Sequence, residues 1–351
     1  MDKKTLNHIL NLASQFNASD IHLSSGVLPR IRTKGDIIPL TEFNTVLTSK
    51  DISNILLEIM DKYSQETLLR NLQTDFAYYN EENNTRYRVN AFKSLKGLTI
   101  VFRKLNTIIP RLEDSDFPSI FKKIVSLEKG LVLICGATGS GKSTTLAILL
   151  DYINRNQSKH IITIEDPVEY LHETKQSLVD QREVGKSVKN FSDGLRGALR
   201  EDPDIILVGE MRDRETIRMA LTAAETGHLV LSTLHTMSAS KTVDRIINSF
   251  DSEEKDIVRN MLSTSLQAIV LQTLLKNSDN TGRVAAFEIA IATGAFRNLI
   301  RENKIYQIDS VIQTGSKYGM VTMEEYIGKL LRDGLVDEKD AVSKMSKIDE
   351  S

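Results

Sequence analysis

The sequence predicts an α/β protein: a small mixed α/β domain followed by a larger, mostly parallel sheet covered by helices. Three observations predict it. Four short apolar runs, residues 131–134, 161–164, 205–208 and 229–232, have the look of strands buried on both faces, with helical patterns in the gaps. A glycine-rich turn, residues 136–143, stands between the first run and a helix-periodic segment. The first third alternates as sheet strands do and ends in a stretch with two prolines and mixed charge, residues 106–118.

Taken in order, Leu6, Ile9, Leu10 and Ala13 have helix spacing. Residues 20–23 and 30–33 read as short strands around a turn at Gly26 and Pro29. Residues 52–60 look helical, and 86–92 and 98–103 alternate about a turn near Lys96 and Gly97. These define a first domain, residues 1–105, and a linker, 106–118. A helix at 119–127 opens the core domain, 119–275. From about residue 254 the pattern is helical to the end, so 276–351 is expected to be a helical C-terminal region. Thr322 and Glu325 form a capping box there, ahead of Met323, Tyr326, Ile327, Leu330 and Leu331. The polar tail after about Asp337 is expected to fray.

The length of 351 residues suits two or three domains, and 40 % hydrophobic with 26 % charged residues is an ordinary globular balance. The net charge of −2 argues against a protein that grips nucleic acid chiefly through its phosphates. The single cysteine, Cys135, can make neither an internal disulfide nor a four-cysteine zinc site, which points to a cytosolic setting. Residues 1–12 are polar, so no signal peptide is expected, and no apolar stretch approaches a membrane span. Membrane contact is therefore expected only through a partner.

The run Gly136, Ala137, Thr138, Gly139, Ser140, Gly141, Lys142, Ser143 matches G-x-x-x-x-G-K-[ST], and the strand before it and the apolar helix after it are the context that motif needs. Bare glycine backbone lets amides curl round a phosphate, the N-terminus of the next helix adds positive charge, and Gly136–Ser143 with Thr144 are the expected nucleotide-binding residues. Lys142 is assigned to the β- and γ-phosphates of ATP, and the Ser143 hydroxyl to direct ligation of Mg²⁺. Cys135, just before the loop, reads as a small buried residue.

Such a site also needs a carboxylate behind the metal and the lytic water. Gly209 sits where many P-loop proteins carry aspartate, which leaves Glu210 as the principal carboxylate of that strand. Glu165, with Asp166, closes the strand 161–164 and is the second candidate for water-mediated metal contact. Which of the two activates the water is left open. His228 and His235 bracket the strand 229–234; a structural role and a γ-phosphate sensor, the latter at His235, are both open on the residues alone.

At these motifs the chain resembles the type II/type IV secretion ATPase superfamily. The P-loop, residues 164–170, residues 204–213 and residues 226–236 look like its Walker A, Asp, Walker B and His boxes, in that order. Residues 18–23, 295–302 and 310–320 are similar to the N- and C-terminal signatures of its pilus-retraction subgroup. Phe296 stands where that C-terminal motif has isoleucine, and a one-cysteine chain lacks the tetracysteine module usual in assembly and type II secretion relatives. The resemblance implies an N-terminal PAS-like domain, a RecA-like ATPase core, a homohexamer with nucleotide between the domains, and pilus retraction. It also implies an inner-membrane platform protein as partner, pilin as an indirect one, no nucleic acid, and a place at the cytoplasmic face of the inner membrane.

By the same resemblance, arginines of the first domain reach the nucleotide phosphates. Residues 86, 88 and 90 point to one face, and Arg88 and Arg103 match, with Arg86 as a weaker candidate. In residues 295–302, Ala295, Phe296, Leu299 and Ile300 share one face and Arg297 and Arg301 another; a plain amphipathic helix and a part in retraction separable from hydrolysis are both open. The alternatives weighed are a pilus-assembly or type II secretion ATPase, a RecA-like nucleic-acid motor, and a nucleotide-binding adaptor without turnover.

Overall fold

The computed structural model describes residues 1–33, 35–105, 108–279 and 281–349, with side chains to residue 346. Asn106 and Thr107 of the expected linker, and the last two residues of the tail, lie outside the described residues. The chain forms two compact units, one of Met1–Ile108 with Pro167–Leu171, the other of Ile109–Asp166 with His172–Ser351.

The first unit holds a six-stranded antiparallel sheet: β1 (Asp20–Ser24), β2 (Arg30–Thr33), β3 (Asp36–Pro39), β4 (Gln73–Asn80), β5 (Thr85–Ser94) and β6 (Gly97–Lys104), in the order β3-β2-β1-β6-β5-β4. Burial alternates along β5, as the period of two requires when one face is covered. Ile21, Ile31, Tyr87, Val89, Ile100 and Phe102 form a core with Leu6, Ile9 and Leu10 of helix Lys3–Gln15 and Ile52, Ile55 and Leu56 of helix Ser49–Ile59. The sequence reading missed β3, β4 and helix Lys62–Asn71. Every residue of β3 is exposed and the helix buries only Ser64 and Leu68, so neither carries a hydrophobic period.

The second unit is built on β7 (Gly130–Cys135), β8 (His160–Glu165), β9 (Leu178–Glu183), β10 (Ile205–Val208), β11 (Leu229–Leu234), β12 (Leu266–Lys276) and β13 (Arg283–Ile291), in the order β13-β12-β7-β11-β10-β8-β9. All pairs are parallel except β12 with β13. Two cores flank this sheet. Leu131, Leu133 and Cys135 belong to one and Val132 and Ile134 to the other, which is why such strands read as unbroken apolar runs.

Strands β12 and β13 correct the expectation that the chain is helical from about residue 254 and throughout 276–351. The fully buried stretch Ala268–Leu271 has no period, and an apolar run of that kind does not separate strand from helix. Helices Gly294–Arg301, Ile308–Gln313 and Met323–Arg332 do follow, the last with the expected Thr322–Glu325 capping box. The tail is also corrected. It forms helix Glu338–Asp349, because Ala341 is buried and the Lys276 amide donates 2.8 Å to the Asp340 carboxylate, tying the helix to the end of β12.

A candidate nucleotide site at the strand ends

The loop after β7 has the backbone its glycines allow. Gly136, Gly139 and Gly141 have φ of +140°, +78° and +89°. A Cβ at Gly136 would lie 2.4 Å from the Gln272 carbonyl oxygen, and one at Gly141 2.7 Å from the Gln272 side-chain nitrogen. Gln272 of β12 also accepts a 2.6 Å bond from the Thr145 hydroxyl. It braces the loop from below, and the sequence reading missed it because it lies in a segment taken for helix.

Helix Lys142–Asn156 starts at Gly141 with no side-chain cap and no acid in its first turn, so its first amides suit an anion. Lys142 is buried and its ammonium donates to the Gly136 and Ala137 carbonyls at 2.8 and 2.9 Å. Ala137, Thr138 and Gly139 are exposed, as is Ser143, and Thr144 is half-buried. The Ser140 hydroxyl is buried without a hydrogen-bond partner among the described residues, the kind of orphan a phosphate oxygen would satisfy. Burial pushes the Cys135 thiol up to about 11, which fits a packing role.

The carboxylates stand on the same edge. Val208 pairs with Ile164 on one side and Ser232 on the other, which sets the ends of β8, β10 and β11 beside one another. Glu165 accepts from the Thr163 hydroxyl at 2.7 Å and from the Gln181 amide at 3.1 Å. Asp166 is exposed. Glu210 accepts from Arg212 Nε at 2.8 Å, and its other oxygen lies 3.4 Å from His235 Nε2. Two residues picked separately from the sequence thus meet. Gly209 donates to the Ile164 carbonyl at 2.8 Å, and a Cβ on it would come within 3.3 Å of that oxygen and 3.4 Å of Glu165 Cα. Close approach of two strand ends is the physical reason for a glycine there. His228 lies at the opposite end of β11, its Nδ1 2.9 Å from the Ala223 carbonyl, so the two histidines do not act as a pair.

In the first unit Arg88 and Arg103 are direct cross-strand neighbours on β5 and β6. Arg103 Nε donates 2.8 Å to Asp20, and Arg88 Nε lies 3.5 Å from Asp75. Arg86 is half-buried on the same face. In helix Gly294–Arg301, Phe296 and Ile300 are fully buried while Ala295 is exposed. Arg297 does not share a free face with Arg301. Its guanidinium donates to the carbonyls of Ala292, Ser263 and Thr264 at 2.7–2.8 Å and to the Gln267 side chain at 3.1 Å, capping the C-terminus of helix Lys255–Ser265.

The family model described as type II/IV secretion system protein matches residues 2–334. This chain belongs to that family. As a type II/IV secretion system protein it is 48 % identical over 346 residues, 99 % of both chains, to the type IV pilus retraction ATPase PilT of Pseudomonas aeruginosa. It is also 48 % identical over 334 residues to the twitching motility protein of Neisseria gonorrhoeae, covering 93 % of this chain and 88 % of that one. A crystal structure of the pilus retraction motor PilT with bound ADP superposes with a TM-score of 0.88 at 43 % identity, covering 96 % of each chain. The likeness to the retraction subgroup and the RecA-like α/β fold are thereby borne out. Among the described residues of this family member, no helix is long and apolar enough to cross a membrane. Nor do three His, Cys, Asp or Glu side chains among them gather to hold a metal alone. A hydroxyl with outlying carboxylates fits magnesium, which binds chiefly through phosphate and water.

Proposed function

We propose that this chain is a motor ATPase that binds ATP at the loop Gly136–Ser143 and couples its hydrolysis to retraction of a type IV pilus. It works as a homohexamer at the cytoplasmic face of the inner membrane, acting on a platform protein and through it on pilin, with no nucleic acid involved. The observation that carries the reading is near-complete coverage of a pilus retraction ATPase at 48 % identity by a chain that has the phosphate-loop motif and a Glu210–His235 contact.

The loop amides and the helix N-terminus hold the β-phosphate, and Lys142 moves from its loop carbonyls to the β- and γ-phosphates. Ser143 would ligate Mg²⁺ directly and Glu165 and Glu210 through water, the ion supplying charge neutralisation on the phosphates. Glu210 polarises the lytic water, and His235, at its other oxygen, reads whether the γ-phosphate is present. Arg88 and Arg103 supply guanidinium charge to the phosphates, a task that suits a planar, permanently charged fork.

The test is ATP turnover by the purified, assembled protein beside Lys142→Ala, together with deletion of the gene. Expected are turnover in the parent, background turnover in the variant, and cells that are hyperpiliated and do not twitch. Loss of pili would overturn the retraction reading in favour of assembly. Strong, salt-sensitive stimulation of turnover by DNA would favour a nucleic-acid motor.

A further inference from the structure

Behind the loop lies a cavity of about 380 Å³ whose walls include Gly136, Thr236, Gln272, Glu288 and Met323. Glu288 is the feature of this cavity that the site described above does not use. It sits on β13 opposite Leu271, and Leu271 in turn is opposite Cys135, the residue before the phosphate loop. Its Oε1 accepts from the Ala239 amide at 3.1 Å, and Met323 lines the same cavity. Ala239 is the first residue of helix Ala239–Asn248, and Met323 the first of helix Met323–Arg332. Such first-turn amides have no partner within their own helices. The Glu288 carboxyl group therefore serves the first of these helix starts from a separate element, β13.

The first of these helices follows the sensor histidine at once. Its N-cap, Ser238, takes the Lys241 amide at 3.2 Å and so leaves the Ala239 amide to Glu288. The Thr236 and Thr242 hydroxyls, 2.7 Å apart, fix the same turn from the other side. We propose that Glu288 is a positioning residue that holds the turn from His235 to Ser238 in register with Glu210. The proposal rests on the ATPase reading for its kinetic consequence but not for its geometry.

Burial, then the carboxylate of Asp309, push the Glu288 pKa up to about 7, against the pull of the Ala239 and Met323 amides. The other charged groups lining the cavity are Lys241, Glu324 and Lys344, from the three other helices packed there. The anion is the stronger acceptor, so it serves the Ala239 amide better than the neutral acid does. The clamp should tighten as pH rises through about 7.

Glu288→Gln and Glu288→Ala test this in the full-length protein. Hydrogen exchange without nucleotide is expected to speed up about tenfold in residues 236–242 of Glu288→Ala, with helix Lys142–Asn156 unchanged, because a first-turn amide loses its acceptor. In turnover, kcat is expected to fall about tenfold in Glu288→Ala with KM for ATP within about twofold, and Glu288→Gln is expected to recover most of it. The rise of kcat through about pH 7 in the parent is expected to flatten in Glu288→Gln. Parental exchange in residues 236–242 together with an unshifted pH profile would overturn the proposal. Should Glu288→Ala not fold, the near-isosteric Glu288→Gln still carries the pH and exchange readouts. A parent without turnover would sink the ATPase reading and leave the exchange result to decide on the clamp.

Discussion

The two sheets offer their chemistry in opposite places. In the seven-stranded sheet the candidate groups Glu165, Glu210, His235 and the phosphate loop stand at strand ends, and all residues of β7, β10 and β11 behind them are buried. In the six-stranded sheet Arg88 and Arg103 stand within strands, on the polar face, held sideways by Asp75 and Asp20. The first arrangement fixes each group through packed register, which cannot shift by one residue without turning a core face outward. The second fixes them by ion pairs: Arg88–Asp75 is exposed and worth about 0–1 kcal/mol, while Arg103 reaches a buried Asp20 carboxylate. One region holds its groups by packing and the other by polar pairs.

The largest way to break that contrast is Glu210→Gln. If the strand ends set the chemistry, kcat should fall on the order of a thousandfold while ADP affinity holds within about twofold. Steady-state turnover and calorimetry measure both. Turnover within a few-fold of the parent would move the water-activating role to Glu165, which shares the edge.

Arg103→Ala and Arg88→Ala come next. If these arginines donate to the phosphates as proposed, losing one should lower kcat about a hundredfold, with unfolding free energy changed by less than about 1 kcal/mol for Arg88, whose pair with Asp75 is exposed. Asp20→Asn sharpens the point, since it frees Arg103 from its 2.8 Å partner and should leave kcat at or above the parental value. A stability loss with unchanged turnover would make both arginines ordinary surface residues.

How much of this could be read in advance follows from the same contrast. The strand ends were legible because a fully buried parallel strand is an unbroken apolar run and the loop after β7 has a spelling that only phosphate chemistry needs. The contact between Glu210 and His235 was not, since it depends on the lateral order β11-β10, which no local pattern encodes. Gln272 and Glu288 were missed for a further reason. They lie on β12 and β13, whose apolar stretches have no period, so the polar residues inside them had no face to be assigned to. Arg297 looked like half of an exposed pair because helix spacing shows which residues share a side, not which carbonyls wait beneath it.

Gly209→Asp tests the packed region with a smaller effect. The substitution restores the residue that many P-loop proteins have, yet its Cβ meets the Ile164 carbonyl at 3.3 Å and Glu165 Cα at 3.4 Å. Overpacking of this order is expected to lower stability by about 1–3 kcal/mol without raising kcat. Thermal melts and turnover of the same preparation check it, and a variant as stable as the parent would show that the strand ends yield more than their register suggests.

The smallest effect separates the units by acid. Burial holds the His172 pKa down to about 4, with the Asp151 carboxylate opposing and Lys175 assisting, and its Nδ1 has no hydrogen-bond partner among the described residues. Burial also lowers His22, on the arginine face, against Asp20 and with help from Arg32 and Arg103. A histidine whose folded pKa is depressed takes its proton more easily when unfolded. Its contribution is therefore whole above the ordinary value of 6.5 and shrinks as pH falls from there toward 4. His172→Asn should thus remove on the order of 1–2 kcal/mol of acid sensitivity between pH 7.5 and 5, measured as the change in denaturation midpoint. His22→Asn should remove less, because its ring is the less deeply buried of the two. The reverse order would mean that the polar face of the antiparallel sheet is more tightly built than its ion pairs imply, and the contrast between a region held by packing and one held by polar pairs would fail there first.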